Sequence, residues 1–222
     1  MLNFLTSTVG KKYLMGASAL VWVGFVFAHM AGNLLMFVSP DAYNAYGHAL
    51  TSGMIIYVAE TGLILALLTH VFLGIQLTLQ NRAARPQRYA AAGSRSKGAV
   101  FASRTMAIHG TIILIFLVSH LITFKFGTYY ETTVNGVVMR DLYRLLVEIF
   151  AQPVYVIWYV ISLVLLGFHL SHGVGSMFQS FGLLHPTYQP VIRKLSWTYA
   201  IVVVAGFLAQ PIVVFFIANE GR

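Results

Sequence analysis

The chain has 222 residues, 58% of them hydrophobic and only 9% charged, with a mean hydropathy of +0.77. A soluble core of this size cannot hide that much apolar surface, so the composition indicates a polytopic membrane protein and leaves no room for a soluble catalytic domain. A net charge of +8 would suggest nucleic acid in a soluble protein, but here the basic residues follow the membrane topology and nucleic acid is excluded as a partner.

Five apolar segments are predicted, at about 13–38, 54–80, 105–126, 153–178 and 195–218. Each exceeds the ~20 residues that cross a ~30 Å hydrocarbon layer, where a backbone must bond to itself and therefore coils into a helix. Residues 1–222 are thus expected to form one all-α integral membrane bundle. The first segment follows Lys11 and Lys12 as a signal sequence does, but it ends in Gly32–Asn33–Leu34 without a small-x-small cleavage pattern and is expected to be retained. Ser39–Pro40–Asp41 breaks the chain before the second segment, which carries Glu60 and His70. Arg85–Pro86 and Gly93–Ser94 break it again before the third, which carries His120. The longest stretch between spans, about 127–152, holds Tyr129–Tyr130 and a predicted surface helix from Asp141 to Phe150, with Leu142, Leu145, Leu146 and Ile149 at helical spacing. It reads as a small cap. His169 lies in the fourth segment; Pro186 and Pro190 precede the fifth, and Pro211 is the only proline well inside a predicted span.

Charge orients the bundle. Lys11, Lys12, Arg82, Arg85, Arg88, Arg95, Lys97, Arg104, Arg193 and Lys194 fall on one side. Lys125, Arg140, Arg144 and Arg222 fall on the other, with the acids Asp41, Glu131, Asp141 and Glu220. The positive-inside rule places the N-terminus in the cytoplasm and the C-terminus outside. A basic cytoplasmic face also suits an acidic partner subunit.

His29, His70, His120 and His169 each sit in a separate span. An imidazole in hydrocarbon needs a partner that repays its desolvation, and facing imidazoles with no acid nearby suggest a metal between them. Depth sorts the four into pairs. His29, eleven residues before Pro40, and His120, five before Lys125, lie ~8–16 Å from the outer boundary. His70, ten residues after Glu60 and eighteen after Ser52, and His169, sixteen after Pro153, lie ~24–27 Å from it. Two bis-histidine haems separated by ~13 Å are expected. With no cysteine in the chain they are noncovalent b-type haems, and disulfides, thiolate-held clusters and c-type attachment are excluded.

A porphyrin between helices favours residues without bulk near the ligand. Gly74 and Gly173 lie four residues after His70 and His169, and Gly32 three after His29, whereas Phe116 and Phe124 flank His120. Of the other histidines, His109 is read as binding a haem propionate or snorkelling, His172 as competing as ligand or hydrogen-bonding nearby, and His48 and His185 as loop residues.

The segments Ser7 to Leu14 (STVGKKYL), Phe27 to Asn33 (FAHMAGN), His70 to Leu77 (HVFLGIQL), Asn81 to Pro86 (NRAARP), Ser119–His120 and His169 to Leu184 (HLSHGVGSMFQSFGLL) carry a resemblance over nearly the whole chain. With them the sequence resembles the cytochrome b membrane-anchor subunit of succinate dehydrogenases and fumarate reductases, in the single-chain, five-helix, two-haem branch. The resemblance implies a proximal haem on His70 and His169, near a cytoplasmic iron–sulfur subunit that is in turn joined to a flavoprotein, and a distal haem on His29 and His120. It implies electron exchange with menaquinone in the inner (cytoplasmic) membrane. Quinone chemistry moves protons with electrons, and Glu60, the only acid well within a predicted span, is the candidate proton carrier. The competing reading of Glu60 is an interfacial residue bonded to a neighbouring helix. Tyr43, Tyr46, His48 and Tyr57 lie near the same end and are candidates to bind the quinone ring, although interfacial aromatic belts account for tyrosines equally well.

Two rival readings differ in pattern. The cytochrome b subunit of another respiratory complex, such as a hydrogenase or nitrate reductase, shares bis-histidine ligation but differs in motif, and cytochromes of the bc type place two ligands on one helix, whereas here the gaps are 41, 50 and 49 residues. A haem-free transporter or proton channel would more often show broken helices and an inverted repeat, and neither is visible. A cofactor-free membrane anchor is the third alternative.

Overall fold

The computed structural model describes residues 7–83, 97–183 and 185–220. Arg85, Arg88, Arg95 and Arg222, together with part of the Asn81 to Pro86 segment, lie outside the described residues. Seven α-helices and one β-hairpin are described: α1 (Thr8–Asn33, tightened into a 3₁₀ turn at Leu34–Phe37), α2 (Pro40–Thr51), α3 (Ile55–Ala83), α4 (Lys97–His120), β1 (Glu131–Val134), β2 (Val137–Arg140), α5 (Leu142–Phe150), α6 (Pro153–Ser180) and α7 (Gln189–Asn219).

Five helices are long and apolar enough to cross a membrane, matching the predicted segments in number and order. Their exposed faces are apolar as well. Ile64, Leu68, Phe72, Ile75 and Leu79 recur at helical spacing along α3, each more than half exposed. Ile108, Ile115 and Ile122 do the same at seven-residue steps along α4 and its continuation. Such stripes are stable against lipid and costly against water.

Local chemistry sets where the elements begin. The Ser7 side chain accepts from Gly10 N at 3.1 Å and starts α1 five residues before the predicted segment. Ser39 accepts from Ala42 N at 3.0 Å with Pro40 at the first helical position. The Ser–Pro–Asp triplet read as a break is therefore the start of an unpredicted helix, α2, and His48 belongs to that helix rather than to a loop. The predicted surface helix is present as α5, with Asp141 as its N-cap.

The hairpin corrects the all-α expectation in one place. Asn135 (φ 52°) and Gly136 (φ 79°) form a two-residue turn with both residues in the left-handed region, which matches the twist of the strands it joins. Val134 pairs with Val137 and Glu131 with Arg140. An Asn–Gly pair between Thr–Thr–Val and Val–Val–Met is a hairpin signal present in the sequence.

The long helices run alternately up and down. Tyr13 and Gly16 near the start of α1 meet Phe181 and Ser180 at the end of α6, while Asn219 at the end of α7 bonds Ala151 O just before α6. α6 is central, packing on α1, α4 and α7. α3 packs on α1 and touches α4, so α1, α3, α4 and α6 enclose a four-sided bundle in which α1 faces α4 and α3 faces α6 across the diagonals. Among the described residues neither diagonal pair packs closely backbone to backbone. The fifth long helix, α7, lies outside this ring, where Ala200 and Val203 join Met30 and Leu170 in a buried cluster.

One end is closed by α2, the hairpin and α5. Asn44, 2% exposed, is the joint: its Nδ2 donates to Asp141 Oδ1 at 2.9 Å and its Oδ1 accepts from Tyr143 N at 3.0 Å. Arg140 donates to the Lys125, Gly127 and Thr128 carbonyls and so ties the hairpin to the end of α4. Beside it, Tyr130 O–H donates to Glu148 Oε2 at 2.6 Å, Arg144 Nε donates to Oε1 at 3.1 Å, and the Arg144 guanidinium lies 4.0 Å over the Tyr130 ring.

Asn44→Ala leaves Asp141 and the Tyr143 amide short of a partner and should cost about 1–3 kcal/mol. A lower unfolding temperature in detergent, with faster exchange of the Tyr143 amide, is the expected result. The Tyr130 hydrogen bond, followed by that of Arg144, holds the Glu148 carboxyl below its ordinary range. A depressed folded-state pKa contributes stability that is present above the unfolded value and lost as pH falls through the folded one. Unfolding temperature should therefore fall as pH drops through and below the ordinary carboxylate range, and Glu148→Gln should remove that part of the dependence.

Candidate functional site

The four intramembrane histidines meet in the two pairs expected from depth. The ring centres of His29 and His120 are 5.8 Å apart at an interplanar angle of 83°, and those of His70 and His169 are 6.1 Å apart at 60°. Each pair bridges one diagonal of the four-helix ring. Contacts between helices give the vertical offset independently on three of them. On α1, Ser18 touches His70 and His29 follows eleven residues later; on α4, Gly110 lies beside His169 and His120 follows ten later; on α6, Tyr159 bonds His120 and His169 follows ten later. At the helical rise per residue, all three intervals place the pairs ~15–16 Å apart along the bundle.

At the outer pair, nearer the cap, His120 Nδ1 and Tyr159 Oη are 3.0 Å apart. His29 Nε2 accepts from Asn33 Nδ2 at 3.3 Å, and Asn33 Oδ1 accepts from Tyr43 O–H at 2.9 Å. Burial raises the Tyr43 phenol to about 12, so it stays a donor at neutral pH. Phe25 stacks on His29 at 5.3 Å, and Phe116 and Phe124 flank His120 at 5.9 and 5.4 Å, giving the ring-lined pocket expected there.

The inner pair has fewer polar partners. Ser18 O–H donates to Met15 O at 2.9 Å, which leaves the Ser18 oxygen free to accept from His70 Nδ1 at 3.4 Å. His169 Nδ1 is buried and makes no hydrogen bond among the described residues. An apolar groove of about 250 Å³ lies between α1 and α3, lined by Leu14, Ser18, Val21, Leu65 and Thr69 among others.

This donor set fits a haem better than a bare ion. Among the described residues no third histidine, cysteine or carboxylate joins either pair. Two protein donors underfill an ordinary metal site, whereas a porphyrin brings four nitrogens and asks the protein only for axial ligands. In each pair the two imidazoles are near enough for both to hold one such group between them. At His29 the long Asn33 contact to Nε2 would be exchanged for the iron bond.

The three glycines differ. A Cβ on Gly173 would meet nothing within 4 Å, so open space lies one turn from His169. A Cβ on Gly74 would meet Met15 Cε at 3.4 Å. At Gly32 it would stand 2.7 Å from Tyr46 Cζ, so the lack of a side chain there is accounted for by the seating of Tyr46. His172 is bonded to Ser176 Oγ at 3.0 Å, and His169 is the histidine that faces His70. His109 does not snorkel: it is 3% exposed and stacked on Phe168 at 5.9 Å. His185 lies in the turn after α6, as expected, and bonds Thr187.

Glu60 is ion-paired with Lys125, the last residue of a π turn that follows His120 directly. Both side chains are partly exposed, at 35% and 41%. Tyr57 is exposed. Residue-by-residue reading missed Asn33, Ser18, Gly110 and Tyr159. Asn33 carried a local signal, four residues after His29 on the same helix face, while the others reach their histidines across helices. Comparison of the chain with protein-family models, curated proteins and solved structures yields no match.

Proposed function

We propose that this chain is a dihaem cytochrome b membrane anchor of a succinate:quinone oxidoreductase. It would pass electrons between an iron–sulfur subunit on its basic side and menaquinone in the inner membrane. The observation that carries the reading is the meeting of two histidine pairs at two levels, on helix diagonals whose backbones do not pack closely. In this reading His70 and His169 would hold the proximal haem b, and His29 and His120 the distal haem b. When bound, the two haems supply one-electron exchange at potentials set by their axial imidazoles and surroundings.

The chain's own residues do the rest. Ser18 meets Nδ1 of His70, which would leave its Nε2 to hold the proximal haem. Glu60, at the outer end and ion-paired with Lys125, takes up or releases the proton that accompanies quinone turnover. Dicarboxylate chemistry belongs to the flavoprotein subunit. The N-terminus lies in the cytoplasm in this reading, on the strength of the basic residues at that end.

A pyridine haemochrome assay with redox titration should give two b haems per chain, titrating in two steps. His29→Ala or His120→Ala should remove one step, and His70→Ala or His169→Ala the other. A chain without haem after expression with adequate haem supply would instead favour the transporter or passive-anchor reading. Glu60→Gln should lower quinone turnover by about 10²–10⁴-fold, the usual worth of a positioned proton carrier, with both haem spectra retained. Unchanged turnover would remove Glu60 from the mechanism.

A further inference from the structure

We propose that Tyr159 is the positioning residue of the outer site: its phenol oxygen accepts from His120 Nδ1–H and so fixes the tautomer that leaves Nε2 for the metal. The inference rests on the haem-binding reading above and adds to it a residue that is not a ligand.

The geometry is specific. Tyr159 is 5% exposed, and its oxygen lies 3.0 Å from His120 Nδ1. Phe116 and Phe150 pack edge-on against its ring at 4.8 and 4.9 Å, so the phenol has little freedom to turn away. Packing alone would be met by phenylalanine. A hydroxyl in this apolar cage costs desolvation unless it is bonded, and the bond it makes is to His120. An imidazole that binds iron through Nε2 must carry its proton on Nδ1, and a metal-bound histidine whose Nδ1–H is held by an acceptor is both oriented and more electron-donating.

The inner site shows the contrast. His70 Nδ1 has only a 3.4 Å contact with Ser18, and His169 Nδ1 has no hydrogen bond among the described residues. Two centres with otherwise similar bis-histidine sets are thereby made unequal, with the outer one holding the stronger donor. Tyr159 also sits on the helix that carries His169, so α6 contributes to both levels.

The test is Tyr159→Phe in the full chain, read by haem content, redox titration and the low-spin ferric EPR signal. Phenylalanine keeps the ring packing, and the inner centre reports that the bundle is intact. The expected result is about 10–100-fold weaker haem binding at the outer site, a higher midpoint potential for whatever haem it retains, and a shifted outer EPR signal, with the inner centre unchanged. Two haems with wild-type affinities, potentials and spectra would overturn the proposal. Should the wild-type chain bind no haem, the parent reading fails, and ¹⁵N spectra of histidine-labelled protein still decide the hydrogen bond. A His120 locked with its proton on Nδ1 in the wild type, and mixed tautomers in Tyr159→Phe, would sustain it. A wild-type His120 already of mixed tautomers, or protonated on Nε2, would refute it, and this measurement also stands if the variant does not fold.

Discussion

Imidazole nitrogens in an apolar medium have no water to fall back on, and the rest of the bundle is arranged around that constraint. A single buried histidine can be met by one neighbouring hydroxyl or amide. Two rings set edge-on or tilted against each other, with no carboxylate between them, cannot satisfy each other on every nitrogen, and in the proposed reading a group that takes donors from both meets that need. Placing each pair on a diagonal follows from this need. Adjacent helices pack at backbone distances that leave no layer between them, whereas diagonal helices keep a gap that only long side chains cross.

The two levels are built differently because the surroundings differ. The outer pair lies under the cap, where α2 brings Tyr43 to Asn33 and hence to His29, and where the aromatic cluster of Phe116, Phe124, Phe150 and Tyr159 surrounds His120. The inner pair lies further from the cap, with a serine at one ring and a glycine and a phenylalanine-stacked histidine close to the other. In the proposed haem-binding reading, differences in polar contact at otherwise similar donor pairs are a physical means of giving two centres different potentials.

The cap joins covalently distant parts to the outer level. Asn44 locks α2 to the start of α5, and Arg140 gathers the carbonyls of the segment leaving α4. That segment contains the π turn ending at Lys125, which reaches Glu60 on α3. A π turn widens the helix by one residue per hydrogen-bonded ring and is often retained where a side chain must be aimed. Here the side chain so aimed is a lysine, and the carboxylate it meets is the one acid inside a span.

Much of this was legible before folding. Length and apolarity alone determine five helices, because a backbone in hydrocarbon has no other way to satisfy itself. Counting residues from the span ends determined which histidines share a level, since the helical rise is constant and the spans alternate in direction. The cap was only partly readable: Asp141 to Phe150 showed its periodicity, but Ser39–Pro40–Asp41 serves equally as a break or a helix start, and the Asn135–Gly136 turn was overshadowed by the helical signals around it. What only the tertiary structure decided is which side chains reach across helices. Ser18 to His70, Tyr159 to His120, Gly110 beside His169, Tyr46 on Gly32 and Lys125 to Glu60 all depend on how each helix is rotated about its axis. Apolarity all round a membrane helix leaves that rotation unspecified by composition, and close packing with its neighbours sets it.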